Sequence, residues 1–335
     1  MPRRAPAETK LLICVGHQFT LWRPPAELAA EVRRCWPEMN VVHLPSYDHI
    51  ADELPDTDIF VGYSLRPEQF AQARQLKWIH STAAGVSQLM YRELRASGLA
   101  VTNARGVHST SMAEHILGTL VALARDFPAA VRYQFERRWA QQEIWDSPAR
   151  PRELAGQMLL IVGFGAIGRE LSRRVKPLGM KVWAVTRSGQ ADPQLAERVL
   201  PAARLEEALP DADFVVLAAP ETPETHHLIG ARQLQAMKPT AFLINVARGS
   251  LVDEAALVAA LERRAIAGAA LDVTEQEPLP PESRLWSLEN VFITPHISAA
   301  SELLWTRQTK LLLENLERWL GGRELLNQVD LKRGY

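Results

Sequence analysis

Residues 157–186 read QMLLIVGFGAIGRELSRRVKPLGMKVWAVT, and their order decides the fold. An apolar strand-like run breaks at Gly163-Phe164-Gly165-Ala166-Ile167-Gly168. RELSRRVKPLGM then shows the apolar spacing of a helix, and KVWAVT reads as a returning strand. Taken alone, G-x-G-x-x-G is weak. Between a strand and a helix, with a second strand following, it is the context that dinucleotide binding requires. Gly163 permits the tight turn, Gly165 lets the backbone approach a pyrophosphate, and Gly168 lets helix and strand pack closely. Ala166 and Ile167 open the helix whose N-terminus would receive the diphosphate.

The runs DFVVLAA, AFLINVA, GAALDV and VFITP continue the alternation downstream. Three of them are followed by a charged residue: Arg248 after AFLINVA, Glu277 after GAALDV and His296 after VFITP. A buried apolar run that stops at a charge marks the carboxyl end of a parallel strand, the edge where ligands bind in doubly wound sheets. The residue types suit one task. A guanidinium can grip a carboxylate, an imidazole can move a proton near neutral pH, and a carboxylate can pair with the imidazole. Together they point to acid/base chemistry on a small anion.

Upstream, LLICVG, VVHLP, IFVGY, KWIHST and AVTN alternate with helix-like PAELAAEVRRCW, PEQFAQARQ and SQLMYRELRASG, a second βαβ series. One long amphipathic helix is expected from about 109 to 137, then a linker at SPARPREL. The last helix, ELLWTRQTKLLLENLERWLGG, ends at a glycine pair suited to a C-cap. A chain that leaves its first domain through one long helix and returns through another carries its second domain as an insertion, with the cleft between them as the expected site.

With 335 residues, two domains are the prior, and 47% hydrophobic with 23% charged residues is the composition of an ordinary globular protein. A formal net charge of -1 with dispersed Lys and Arg argues against nucleic acid. Near the N-terminus the apolar run LLICVG is too short for a signal peptide or a membrane span, so cytoplasmic residence without a membrane partner is expected. Cys14 and Cys35 both stand among apolar residues and read as buried free thiols. His108, His115, His226 and His227 fall at no metal-ligand spacing, and no metal is expected.

About 20 residues past the glycine motif, NAD sites carry a carboxylate for the adenosine ribose. Thr186 and Arg187 occupy that slot. A hydroxyl beside a guanidinium attracts a 2′-phosphate where a carboxylate repels it, so NADP(H) is favoured over NAD(H). The alternative is a solvated Arg in a surface turn.

GFGAIGRE at 163, NVARGSLVDE at 245, AALDVTEQEPL at 269 and TPHISAAS at 294 together resemble the D-isomer-specific 2-hydroxyacid dehydrogenases, with weaker matches at STAAGV (81) and MAEHILG (112). The resemblance covers nearly the whole chain. It implies two doubly wound α/β domains, a Rossmann-type dinucleotide-binding domain at 105–296 inserted in a flavodoxin-like substrate domain formed by 1–104 and 297–335. It also implies NAD(P)-dependent interconversion of a small 2-oxoacid and a D-2-hydroxyacid, with glyoxylate or hydroxypyruvate favoured, and a homodimer. By the same resemblance Arg248 binds the substrate carboxylate and carbonyl, His296 is the general acid/base and Glu277 its partner. Asp272 would orient the nicotinamide carboxamide, and Ala84 and Gly85 would offer backbone donors to the carboxylate. Pro220, Thr225 and Val246 would join Arg248 and His296 around the cofactor. Thr274 stands where the family often has an aromatic, and Ser87 where it often has Asp, which bears on substrate identity. Trp139 and Trp145 lie in WAQQEIW, a segment that reaches a neighbouring active site in some members; an aromatic there could pack on the substrate, but buried helix or interface packing is the favoured reading. Formate dehydrogenase-like chemistry is a competing reading that Glu277 argues against. A nucleotide-sensing scaffold of the corepressor kind is another.

Overall fold

The computed structural model describes residues 5–334. Positions 1–4 and 335, the former at the start of the N-terminal stretch considered above, lie outside them. Two compact units emerge, one spanning Met1–His108 with Ala300–Tyr335 and the other Ser109–Ala299.

The first unit holds a five-stranded sheet of β1 (Lys10–Cys14), β2 (Asn40–Leu44), β3 (Ile59–Gly62), β4 (Trp78–Ser81) and β5 (Ala100–Thr102). All pairings are parallel and the order is β2-β1-β3-β4-β5, the flavodoxin-like arrangement. Successive residues point to opposite faces, so one face buries Leu11, Ile13, Ile59, Val61 and Trp78, and the other Leu12, Cys14, Phe60 and Ile79. The C-terminal helix Leu304–Leu320 covers the first face, where Trp319 stacks on Trp78 at 6.4 Å.

The second unit holds seven parallel strands: β6 (Met158–Val162), β7 (Lys181–Thr186), β8 (Arg198–Pro201), β9 (Phe214–Leu217), β10 (Phe242–Asn245), β11 (Gly268–Leu271) and β12 (Val291–Ile293). Their order, β12-β11-β10-β9-β6-β7-β8, reverses direction at β6, the Rossmann switch point. Central strands β6, β9, β10 and β11 are buried at every residue, as a sheet covered on both faces demands.

Three expectations need correction. β8 has no counterpart in the reading above, because at the sheet's edge its RVLP buries only Leu200 and lacks the apolar run that marks an interior strand. The helix expected from 109 to 137 is two, Ser109–Ala124 and Phe127–Phe135. Pro128 is the cause: in a continuous helix its ring would clash with the Ala124 carbonyl, and Asp126 turns the chain with φ 53° instead. Cys14 is buried as expected, and burial pushes its thiol up to about 12, whereas Cys35 is exposed. It is the last residue of the helix Ala26–Cys35, beyond the last buried position, Val32.

Candidate active site

Because all seven strands of the second unit are parallel, the segments leaving β6, β7, β9, β10, β11 and β12 emerge along one edge. Every site residue expected in this unit lies on one of them.

The glycine turn after β6 meets the physical demands of a dinucleotide cradle. Gly163 adopts φ 95°, and a Cβ there would collide with the backbone of Ala218 and Ala219. At Gly165, the N-cap of the helix Ala166–Val175, a Cβ would meet nothing within 4 Å, so the approach to the helix N-terminus is clear. At Gly168 a Cβ would press on the Gly163 carbonyl at 2.9 Å and on Ile161 at 3.1 Å, which is the close helix-to-strand packing expected of the third glycine. These residues therefore fit a dinucleotide diphosphate.

Thr186 ends β7, and its hydroxyl accepts from the Gln190 N–H at 3.1 Å, bracing the turn in which Arg187 is exposed. After β9, the Thr225 hydroxyl donates to the Pro220 carbonyl at 2.8 Å and shapes the 220–225 loop. Val246, directly after β10, is buried.

Arg248 sits three residues beyond β10 on a turn built by Asn245. That side chain accepts from the Ala247 N–H at 3.0 Å and donates to the Arg248 carbonyl at 2.9 Å. The Arg248 guanidinium donates to the Ala247 carbonyl at 2.7 Å and, among the described residues, has no carboxylate within ion-pair range. Gly249 is required next, because a Cβ would overlap the Thr274 carbonyl.

His296, two residues after Thr294, has φ 53°, an uncommon conformation for a residue with a Cβ. Asp272 holds it there. The Asp272 carbonyl accepts the His296 N–H at 2.9 Å, and its buried carboxylate accepts from the Thr294 hydroxyl at 2.6 Å and the Ile297 and Ser298 N–H groups at 2.9 and 3.0 Å. Burial pushes the Asp272 carboxyl up, but those donors outweigh it and keep it below its ordinary value. His115 contributes at longer range, its Nε2 3.3 Å from the Thr294 hydroxyl.

So fixed, the His296 ring places Nδ1 2.7 Å from Glu277 Oε2, while Glu277 Oε1 accepts the Thr274 N–H at 3.2 Å. Burial alone would raise the Glu277 carboxyl. The His296 ring, the Thr274 N–H and the Arg248 charge overcome it and hold the group below its ordinary value. Arg248, Glu277, His296 and Asp272 are thus gathered on neighbouring loops, with a carboxylate committed to one ring nitrogen of a half-exposed imidazole.

Ala84 and Gly85 belong to the other unit, on the segment after β4. Carbonyls of this segment are already taken: Thr82 by the Gln308 amide at 2.6 Å, Ala83 by the Ala104 N–H at 3.0 Å and Ala84 by the Asn103 amide at 2.8 Å. The Ala84 and Gly85 N–H groups have no acceptor among the described residues, which leaves two donors suited to an anion. Sequence reading missed Asn245, Asn103 and Gln308. Asn245 had a visible signal, an amide at the end of the apolar run FLIN.

The profile of the family described as D-isomer specific 2-hydroxyacid dehydrogenase, NAD binding domain, matches residues 117–298. A glyoxylate reductase of Korarchaeum cryptofilum is 36% identical over 297 residues, covering 86% of this chain and 88% of its own, and that of Pyrococcus furiosus is 36% identical over 276 residues, covering 80% and 81%. Among solved structures, a D-isomer specific 2-hydroxyacid dehydrogenase from Xanthobacter autotrophicus Py2 in complex with NADPH and MES superposes with a TM-score of 0.83 at 30% identity, covering 98% of this chain and 99% of that one. An NADPH-dependent glyoxylate/hydroxypyruvate reductase from Sinorhizobium meliloti gives 0.82 at 25% identity, covering 98% and 100%.

Proposed function

Since the chain belongs to the D-isomer-specific 2-hydroxyacid dehydrogenases and is therefore an NAD(P)-dependent oxidoreductase, we propose that it reduces small 2-oxoacids, glyoxylate and hydroxypyruvate first among them, with His296 as the proton donor. The observation that carries this reading is the 2.7 Å contact between His296 Nδ1 and Glu277 Oε2 beside Arg248. With Nδ1 committed, Nε2 is the nitrogen left to face a substrate, and in reduction it gives its proton to the carbonyl oxygen. Arg248 grips the substrate carboxylate through two parallel hydrogen bonds and fixes the carbonyl carbon for attack. Asp272 acts on the ring's position through the 294–298 segment. A bound nicotinamide dinucleotide would supply the hydride, and Gly163, Gly165, Ala166, Ile167 and Gly168 would hold its diphosphate, with Pro220, Thr225 and Val246 along the same edge.

Within this reading the 109–299 unit is the dinucleotide-binding domain and the remainder the substrate domain. The preferred cofactor is NADP(H), since Thr186 and Arg187 stand where a ribose-binding carboxylate would exclude the 2′-phosphate; the two solved structures named above carry or use NADPH in their descriptions. A charge-assisted contact to that phosphate is worth about 1.5 to 3 kcal/mol, or roughly ten- to a hundredfold in preference. Following NADPH and NADH oxidation with a panel of 2-oxoacids tests substrate and cofactor together. Turnover of glyoxylate or hydroxypyruvate with NADPH ahead of NADH is expected; no turnover of any oxoacid would sink the assignment, and equal rates with both cofactors would sink the cofactor preference.

The segment 127–145 exposes Phe135 at 82% and Trp139 at 93%, with Phe127 and Trp145 about half exposed. So much clustered apolar surface fits a homodimer contact, which light scattering would check by reporting twice the chain mass. Among the described residues no helix is long and apolar enough to cross a membrane. Two free thiols, Cys14 and Cys35, suit the reducing cytoplasm.

A further inference from the structure

His227 lies on the loop after β9, two residues beyond Thr225, and it touches the loops that carry Arg248 and Glu277. Its φ is 49°, the same uncommon conformation as that of His296. In that conformation the backbone N–H donates to the Ser250 carbonyl at 2.8 Å, and Ile229 bridges to Val252, so residues 227–229 run beside the turn that begins at Arg248. The ring turns the other way. Its Nε2 lies 2.7 Å from Glu275 Oε1, and the Glu275 N–H donates to Glu254 Oε2 at 3.1 Å.

Glu275 is two residues from Glu277, on a short loop with few other fixings. Thr274 is pressed against Gly249 and donates through its hydroxyl to the Gln276 carbonyl at 2.8 Å. Between that point and Glu277 the loop is tied to other segments at Glu275, whose N–H rests on the Glu254 carboxylate and whose own carboxylate meets the His227 ring. We infer that His227 is a positioning residue for the reaction, holding the 274–277 loop so that Glu277 meets His296. The inference rests on the roles given above to Glu277 and His296.

An ion pair as exposed as this one, 42% for His227 and 37% for Glu275, contributes little to stability. Its weight falls on geometry, where small displacements of catalytic partners are costly. The variant of choice is His227→Asn: asparagine adopts positive φ readily and keeps the backbone N–H to Ser250, so the tether to Glu275 is cut together with the ring's 4.1 Å contact with His226. On the full-length enzyme with glyoxylate and the preferred nicotinamide cofactor, kcat should fall about tenfold. KM for both substrates and the melting temperature should hold. Glu275→Ala should reproduce the loss. In a Glu277→Gln background, His227→Asn should cost less than about twofold, because the residue it positions is already disabled.

Unchanged kcat in His227→Asn would overturn the inference, as would an equal loss in both backgrounds or a rise in cofactor KM with kcat intact. If Glu277→Gln itself leaves kcat untouched, the active-site reading fails and the inference with it. A slow Glu277→Gln beside a fully active His227→Asn refutes the tether alone.

Discussion

Two histidines on one sheet edge share almost every local feature. His296 and His227 have φ of 53° and 49°, and each ring lies 2.7 Å from a glutamate, the two glutamates being two residues apart on one loop. Exposure does not separate them either: the side chains are 43% and 38% exposed in the first pair, 42% and 37% in the second. What differs is the surroundings. His296 is anchored by the buried Asp272 and shares its glutamate with the charge of Arg248, whereas His227 is anchored by a loop carbonyl and pairs with a glutamate whose own N–H rests on Glu254. A histidine–carboxylate contact is therefore no mark of catalysis by itself. In the proposed function the cation beside it, Arg248, makes the difference.

The sharpest way to break the comparison is to remove the rings in turn. His296→Asn should lower kcat by about 10² to 10⁴, the usual cost of losing general acid/base catalysis, with cofactor KM little changed. His227→Asn should cost far less. Equal losses would erase the distinction between proton donor and tether, and near-normal turnover in His296→Asn would remove His296 from the chemistry.

A third histidine shows what happens without any carboxylate. His80, on β4, is buried, with Nδ1 2.8 Å from the Thr102 hydroxyl, which also accepts from Trp78 Nε1 at 2.8 Å; its Nε2 has no hydrogen-bond partner among the described residues. Burial pulls its pKa from 6.5 down to about 4. Between those values the unfolded chain binds a proton that the native chain refuses. The contribution of His80 to stability is fully present above pH 6.5 and is lost as pH falls toward 4, about 3 kcal/mol from this group. Denaturant unfolding at pH 7 and pH 4 should include that loss, and His80→Gln should reduce the difference by about that amount. A pH difference identical in the two proteins would assign the acid sensitivity elsewhere.

Arg248 is the feature that only the His296 pair possesses. Lysine keeps the charge and loses the fork, so Arg248→Lys should raise the oxoacid KM by roughly ten- to a hundredfold while the cofactor KM holds. Unaltered oxoacid kinetics would mean that the carboxylate binds elsewhere and that the two pairs differ in less than supposed.

How much of this was legible in the sequence follows from burial. Strands buried on both faces announce themselves as apolar runs, and a charge at the end of such a run, as at Arg248 or His296, stands out against them. The second sheet's edge strand β8 and the break at Asp126 lacked that contrast: one has a single buried residue, and the other is set by one proline ring against a carbonyl four residues back. His227 was legible as a residue and not as a role. It stands ten residues beyond β9, and its importance depends on where the loop brings its ring, which no local periodicity encodes. Asp272 was read as a cofactor contact, and the hydrogen bonds by which its carboxylate also holds the segment that carries His296 have no local signal in the sequence.

The smallest effect concerns a single titration. Glu277 is a carboxylate in a divided environment: burial pushes its pKa up, and His296, Thr274 and Arg248 together pull it below the ordinary 4.5. A depressed carboxylate stabilises its pairing above the ordinary value and loses that contribution only as pH falls through the depressed one. The pair should thus persist at pH 4.5 and break below it. His296→Asn deletes the strongest of the lowering influences and leaves burial in place, so Glu277 should titrate at higher pH in that variant. In His227→Asn every partner of Glu277 remains and only the loop loosens, so its titration should move the same way and less. Carbon-13 NMR of glutamate carboxyls in the three proteins reads both shifts. A Glu277 titration unmoved by His296→Asn would mean that the 2.7 Å contact does not persist in solution, and the asymmetry between the two pairs would lose its electrostatic basis.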